Sequence, residues 1–117
     1  MNAKAIEELA DFIEKTKNFD MNDWVCNPDC GTAGCVFGHA ALLWPDVRDK
    51  RQTSWEDDSL RFKLEISCDD FESIGFPSVS DGDVGYRSVT KEHAVVMLRN
   101  FAETGTVEWP EGSGIEN

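Results

Sequence analysis

Most of the thiols and imidazoles of this chain, which could ligate a metal or act as nucleophiles or bases, fall in one short segment. Three thiols and one imidazole, Cys26, Cys30, Cys35 and His39, lie within fourteen consecutive residues, although the 117-residue chain contains only four cysteines and two histidines. Thiolates are metal ligands and nucleophiles, and imidazole is both a metal ligand and a general base. A site is therefore expected first in this segment.

The spacing of these four residues permits a metal site. They follow the pattern C-x3-C-x4-C-x3-H, and a helix capped by Thr32 would place Cys35 and His39 one turn apart on one face. Two loop thiols combined with two helix ligands also occur in structural zinc modules, where metal binding contributes to folding. We interpret Cys26, Cys30, Cys35 and His39 as a candidate metal site for zinc or iron.

A thiol site and simple packing are the two alternatives for the same residues. In the first turn of a helix, Cys35 would meet exposed amides and the positive end of the helix dipole, which favour the thiolate. Cys30 could then act as a resolving thiol and His39 as a base. Buried cysteine is also a common small core residue, and a histidine on an apolar helix is often a hydrogen-bonded structural group. Cys68 fits the packing interpretation, or it could replace Cys26 as a ligand.

The charge of the chain limits its partners. The 23 acidic and 11 basic side chains leave a formal net charge of −12. Such a charge repels phosphate backbones, so it argues against direct binding of nucleic acid through the release of counterions. The same excess of carboxylates predicts a protein partner with a basic surface.

The N-terminus and the hydropathy pattern predict a cytoplasmic protein. Residues 1–8 lack the cationic start and apolar run of a secretion signal, and no uninterrupted apolar stretch could cross a bilayer. In a reducing compartment, clustered cysteines are better explained by metal or thiol chemistry than by structural disulfides.

Three helices are expected to position the cysteine segment. Residues 3–16 have apolar side chains at helical spacing and Asn2 as a cap, and residues 33–43 are apolar almost all round, which predicts a buried central helix. A third helix is predicted over residues 91–104, with Thr90 as its cap and Gly105 at its end. His93 is expected to be a surface or capping residue of this helix. Its inward-facing residues are expected to be Ala94, Met97, Leu98 and Phe101.

The remaining segments predict short elements. Strict alternation over residues 60–66 is typical of a half-buried strand, with a short helix ending near Leu64 as the alternative. Residues 106–109 predict a second brief strand. A short helix capped by Ser67 should end at Gly75. The fold class that follows is α+β, mainly α, in one domain of residues 1–111 followed by a frayed tail of residues 112–117.

Two blocks of the chain resemble known proteins. The first block contains Phe19-Asp20-Met21, Trp24 and the run from Cys30 to Ala40, with its pattern Cys-Gly-Thr-x-x-Cys-x-x-Gly-x-Ala, and the second is Thr104-Gly105-Thr106-Val107-Glu108-Trp109. Together they resemble small uncharacterised proteins found in bacteria and their phages. The resemblance implies no enzymatic activity. It includes Cys30 and Cys35 but not Cys26.

The functional hypothesis follows from size, charge and resemblance. We predict a small acidic cytoplasmic protein that acts by binding another protein, as an accessory factor of a phage or mobile element that modulates a host system. The sequence favours a binding protein over an enzyme because it contains no convincing set of catalytic residues. The alternative is a metal-binding protein or a thiol-based enzyme centred on Cys30, Cys35 and His39.

Overall fold

The computed structural model describes residues 1–17, 19–21, 35–47, 57–79, 86 and 88–115. Within these ranges the chain forms five α-helices, namely α1 (Ala3–Lys15), α2 (Val36–Leu43), α3 (Asp57–Leu64), α4 (Cys68–Gly75) and α5 (Lys91–Thr104), with a 3-10 helix (Pro45–Val47) after α2. The described part contains no sheet, and one isolated antiparallel bridge pairs Val79 with Ile115. The predicted α+β class is therefore wrong, because the described chain is a mainly helical, compact domain.

Helix α1 has the amphipathic pattern and the cap that the sequence predicts. The Asn2 side chain accepts a hydrogen bond from the Ala5 amide at 3.2 Å, which satisfies one of the unpaired amides at the helix start. The buried stripe consists of Ala5, Ile6, Leu9, Ala10 and Ile13. This stripe packs most extensively against α5 and also contacts α2 and α3.

Helix α5 begins and ends where the sequence predicts. The Thr90 side chain accepts from the His93 amide, and His93 Nδ1 accepts from the Thr90 amide at 3.1 Å, so His93 is a capping residue. Gly105 ends the helix with a φ of +78°, in the left-handed region that favours glycine. The predicted inward residues Ala94, Met97, Leu98 and Phe101 are all buried. At the surface of the α1–α5 contact, Arg99 pairs with Asp11 and Glu14.

Helix α2 is the buried central element that the sequence predicts, although it starts later than expected. It begins at Val36 with Cys35 as its N-cap residue, so Cys35 precedes the first turn. Every residue from Val36 to Ala41 is buried. The proposed cap Thr32 lies outside the described residues.

The predicted strand over residues 60–66 is wrong, because residues 57–64 form α3. In a strand, Leu60, Phe62 and Leu64 would share one face. Instead Leu60 and Leu64 are fully buried while Phe62 is 79% exposed. This pattern fits a helix, in which residues four apart share a face and residues two apart do not. The helix ends at Leu64, and the next residue, Glu65, has a φ of +54°.

Helix α4 packs closely on α2. Its Ser67 cap accepts from the Asp70 amide at 3.2 Å, and the helix ends at Gly75, as predicted. A Cβ atom at Gly75 would lie closer than 3.0 Å to ring atoms of Phe37, so only glycine fits at this contact without a shift of its neighbours. The Phe37 ring stacks on Phe71 with centroids 4.5 Å apart.

The C-terminal segment differs from its predicted strand and tail. Residues 106–110 form no strand pairing within the described chain. Trp109 is buried and donates from Nε1 to the Ser73 carbonyl oxygen at 2.9 Å. Ser113 and Ile115 are also buried, and Ile115 pairs with Val79, so residues 113–115 are not frayed. Among the described helices, none combines the length and apolar character that a membrane crossing needs.

Candidate functional site

The sequence-predicted metal residues divide into two groups. Cys35 and His39 are described by the structure, whereas Cys26 and Cys30 lie outside the described residues. Among the side chains that are described, no three of histidine, cysteine, aspartate and glutamate come together in a way that could hold a metal ion. The four-ligand site therefore stays a prediction.

His39 occupies a fully buried position with both ring nitrogens hydrogen-bonded. Nδ1 lies 3.0 Å from the Cys35 carbonyl oxygen, and Nε2 lies 3.0 Å from Thr16 Oγ1. Because a carbonyl oxygen only accepts, Nδ1 donates, and in the neutral ring Nε2 accepts from the Thr16 hydroxyl. A metal ion at His39 would have to replace one of these two bonds.

Aromatic rings line this imidazole. Phe12 lies edge-on with its centroid 6.0 Å from that of His39, and the Phe19 ring lies at 5.8 Å. We refer to Thr16, Cys35, His39 and these two rings as the His39 cluster. It joins the C-terminal end of α1 to the start of α2, and its imidazole is 0% exposed. The geometry gives His39 a structural role in joining two helices, in agreement with the packing interpretation.

Cys35 is buried near a tyrosine hydroxyl. Burial, and to a lesser extent the neighbouring Cys35 thiol, raise the pKa of Tyr86 above its ordinary value. The Tyr86 hydroxyl donates to the Pro77 carbonyl oxygen at 2.8 Å. Tyr86 therefore connects the neighbourhood of Cys35 with the chain that leaves α4. A substrate could reach the 3% exposed Cys35 only if this packing opened.

Cys68 differs from the packed thiol that the sequence suggests. It is exposed at the first residue of α4, and Arg61 Nη1 lies 3.0 Å from its sulfur. The other terminal nitrogen of Arg61 donates to Asp58 at 3.3 Å. The guanidinium is thus held between a carboxylate and a thiol.

An open groove lies between α4 and the C-terminal segment, and sequence reasoning did not identify it. We call it the α4 groove, and its volume is about 370 Å³. Its lining residues are Asp69, Glu72, Ser73, Phe76, Pro77, Ser78, Val107 and Trp109. Among the described residues of this lining, the charged side chains are two carboxylates, Asp69 and Glu72. The only hint of this site in the sequence is the acidic start of α4, since Val107 and Trp109 are more than thirty residues further along the chain.

A second depression adjoins the α4 groove. It measures about 240 Å³ and is lined by Asp58, Arg61, Cys68, Phe71, Glu72 and Phe76. Glu72 and Phe76 line both depressions, so they form the ridge between them. Phe76 is 41% exposed there, which is unusual for a large aromatic side chain.

The surface around this ridge can bind cations. Carboxylates accept short, charge-assisted hydrogen bonds from ammonium and guanidinium groups, and aromatic ring faces attract the same groups. No protein-family model, curated protein or solved structure matches this chain.

Proposed function

We propose that this chain acts by binding another protein that presents a basic surface. The observation that carries the proposal is the net charge of −12 together with its position on the surface. In the described part, exposed carboxylates occur on α1, α3, α4, α5 and the C-terminal segment, at Glu7, Glu8, Asp11, Glu14, Asp58, Asp69, Glu72, Glu92, Glu103, Glu108 and Glu111.

Few of these carboxylates are neutralised within the described chain. Arg99 pairs with two of them, and Arg61 pairs with Asp58 at 3.3 Å. Glu72, Glu103 and Glu108 make no ion pair with any described residue. Exposed ion pairs contribute little to stability in any case. The unpaired charge is therefore available to attract a basic partner.

An acidic surface of this kind affects association in a measurable way. Complementary charge raises the rate of encounter and disfavours acidic competitors. Exposed charges are screened over a Debye length of about 8 Å at physiological ionic strength. We therefore expect the dissociation constant of the complex to rise steeply with salt, mainly through a slower association rate.

The cellular setting is part of the proposal. A cytoplasmic accessory factor of a phage or mobile element that modulates a host system would act by occupying a basic surface of a host protein. The small size of the chain, its charge and its resemblance to bacterial and phage proteins support this setting.

Affinity capture tests the proposal. Immobilised protein is exposed to a bacterial lysate at low salt, and each captured protein is then purified and its dissociation constant measured between about 50 and about 500 mM salt. We expect a defined partner with a basic surface whose affinity falls as salt rises. Capture of no partner at low salt and high load, or of a partner whose affinity is independent of salt, would contradict the proposal.

A further inference from the structure

We propose that the α4 groove is the docking site for a lysine- or arginine-bearing segment of the partner. This inference rests on the proposed function and specifies which surface of the chain and which part of the partner meet. A cationic side chain of the partner would lie between Asp69 and Glu72, with its aliphatic stem against Phe76.

The groove is formed by one face of a helix and a wall fixed to it. Asp69 lies three and four residues before Glu72 and Ser73, which places these three on the same side of α4, and Phe76 follows directly after the end of the helix. The opposite wall contains Trp109, whose Nε1 donates to the Ser73 carbonyl oxygen at 2.9 Å. Since Trp109 is 3% exposed, the wall is part of the core. The site is therefore formed before any partner binds.

The charge of the groove is not neutralised from within the described chain. Asp69 and Glu72 are exposed, and neither forms an ion pair with a described residue. Arg61, which lines the adjoining depression, is already bonded to Asp58 and Cys68. A cationic occupant would supply the missing charge, whereas phosphates and acidic peptides would be repelled.

Apolar surface within the otherwise polar groove restricts the class of cation. The 41% exposed ring of Phe76 and the half-buried Val107 offer apolar surface that a small inorganic ion could not contact, whereas Pro77 and Trp109 are buried behind them. Lysine and arginine carry methylene stems below their charged ends, and their charged groups pack favourably over aromatic rings. The volume, about 370 Å³, is near the lower end of the range of about 300–1,000 Å³ for ligand pockets. It suits an extended basic segment rather than a folded surface.

The first test uses fluorescently labelled peptides and two charge-matched variants. The probe is a short Gly/Ser peptide carrying lysines and arginines, and the reference is the same peptide with acetyl-lysine and citrulline in their place. The groove variant is Asp69→Asn/Glu72→Gln. The control, Glu7→Gln/Glu8→Gln, removes the same charge from exposed positions of α1. Circular dichroism verifies that both variants are folded.

We expect binding of the basic peptide to weaken about tenfold in the groove variant, because two charge-assisted contacts are lost. It should weaken less than about threefold in the control, which changes only long-range attraction. The reference peptide should not bind measurably. Equal weakening in both variants would overturn the groove proposal while leaving the proposed function intact. If the chain captured a basic partner from the lysate but did not bind the basic peptide, the groove proposal would also be overturned and the proposed function would stand.

A second test examines the aromatic contribution and maps the site. Phe76→Leu keeps an apolar side chain but removes the ring face, and we expect a further loss of about two- to fivefold in peptide affinity. In amide NMR spectra, the peptide should shift resonances of α4 and of residues 107–109. The proposal would be overturned if the peptide shifted only resonances of α1. It would also be overturned if the α4 resonances shifted only with protein concentration, because a second copy of the chain would then occupy the groove.

Discussion

The His39 cluster and the α4 groove differ in how their polar groups are satisfied. In the His39 cluster, both imidazole nitrogens lie 3.0 Å from protein oxygens, and the ring is fully buried. In the α4 groove, Asp69 and Glu72 are exposed, and neither forms an ion pair with a described residue. Buried polar groups that are hydrogen-bonded within the protein stabilise a fold, whereas hydrated charges without an ion-pair partner in the described chain are available to a partner protein. The comparison therefore separates a structural site from the proposed docking site.

The two regions are joined through the contact between α2 and α4. Gly75 of α4 packs against Phe37 of α2, and Phe37 stacks on Phe71. Tyr86 provides a second link, since it lies near Cys35 and donates to the Pro77 carbonyl at the edge of the groove. Substitutions at these positions and in the His39 cluster test the comparison.

The largest effect is expected for Gly75→Ala. The new methyl group would meet the ring of Phe37 in a filled core, and overpacking of this kind costs about 3 kcal/mol of unfolding free energy. Urea denaturation measures this loss. The control is Ser73→Ala, an exposed position on the same helix, which should change the free energy by less than about 0.5 kcal/mol.

The double variant Gly75→Ala/Phe37→Leu sharpens this prediction. If the clash with the ring is the cause, the smaller leucine should recover part of the loss, and the two substitutions should be non-additive. Additive losses would place the cause elsewhere.

The next largest effect is expected for Thr16→Val, inside the His39 cluster. Valine has nearly the shape of threonine but lacks the hydroxyl, so His39 Nε2 would be left buried without this partner. Removing a hydrogen-bond partner from a buried polar group costs about 1–3 kcal/mol. Thermal and urea unfolding measure the loss, with the exposed Thr106→Val as the control. A stability equal to that of the control would show that Thr16 is not needed at His39.

Peptide binding adds a second measurement to the Thr16→Val variant. Because the His39 cluster is a structural site, binding of the basic peptide should be unchanged under conditions where the variant is folded. A variant that is folded but fails to bind would contradict the separation of the two regions.

The smallest effect is expected for Tyr86→Phe, and it depends on pH. Loss of the hydrogen bond to the Pro77 carbonyl should cost about 1 kcal/mol at neutral pH. Burial raises the pKa of Tyr86 in the folded state above its ordinary value of about 10. The unfolded chain therefore loses this proton first, and the stability that the tyrosine contributes is present below about pH 10 and falls as the pH rises further.

The difference between the native protein and Tyr86→Phe isolates this contribution from other groups that titrate in alkali. Urea denaturation at several pH values should show the two stabilities converging above about pH 10. A difference that stays constant across this range would mean that the tyrosine ionises equally in both states.

The sequence predicted helix ends correctly where the capping residues lie directly beside the helix in the chain. Asn2, Ser67 and Thr90 each cap the helix predicted for them, and Gly105 ends α5. Each of these interactions joins residues within one turn of the chain, so a short stretch of sequence contains all the partners. The inward face of α5 followed from spacing for the same reason.

Short alternating segments were less reliable. Leu60, Phe62 and Leu64 fit a strand with one apolar face, but Leu60 and Leu64 also fit one face of a helix, with Phe62 outside it. Burial in the tertiary structure selected the helix. Likewise, the apolar residues near Trp109 predicted a strand, although Trp109 is held by its bond to Ser73 and not by strand pairing.

Of the candidate metal ligands, the sequence correctly placed His39 on a buried helix next to Cys35. It did not indicate that Thr16 would bond the second nitrogen, because Thr16 is twenty-three residues away and on another helix. The Cys26 and Cys30 positions of the predicted site lie outside the described residues. For the α4 groove, the acidic start of α4 was visible in the sequence, but its opposite wall was not.

The sequence by itself determined the caps of α1, α4 and α5, the buried character of α2 and the strongly acidic charge, since these depend on neighbouring residues or on composition alone. Only the tertiary structure decided that α3 is a helix, that both nitrogens of His39 are bonded, and that Trp109 lies beside Ser73 to form a groove. The reason is physical: burial and hydrogen bonding between distant segments depend on which surfaces pack together, and local spacing does not specify that choice.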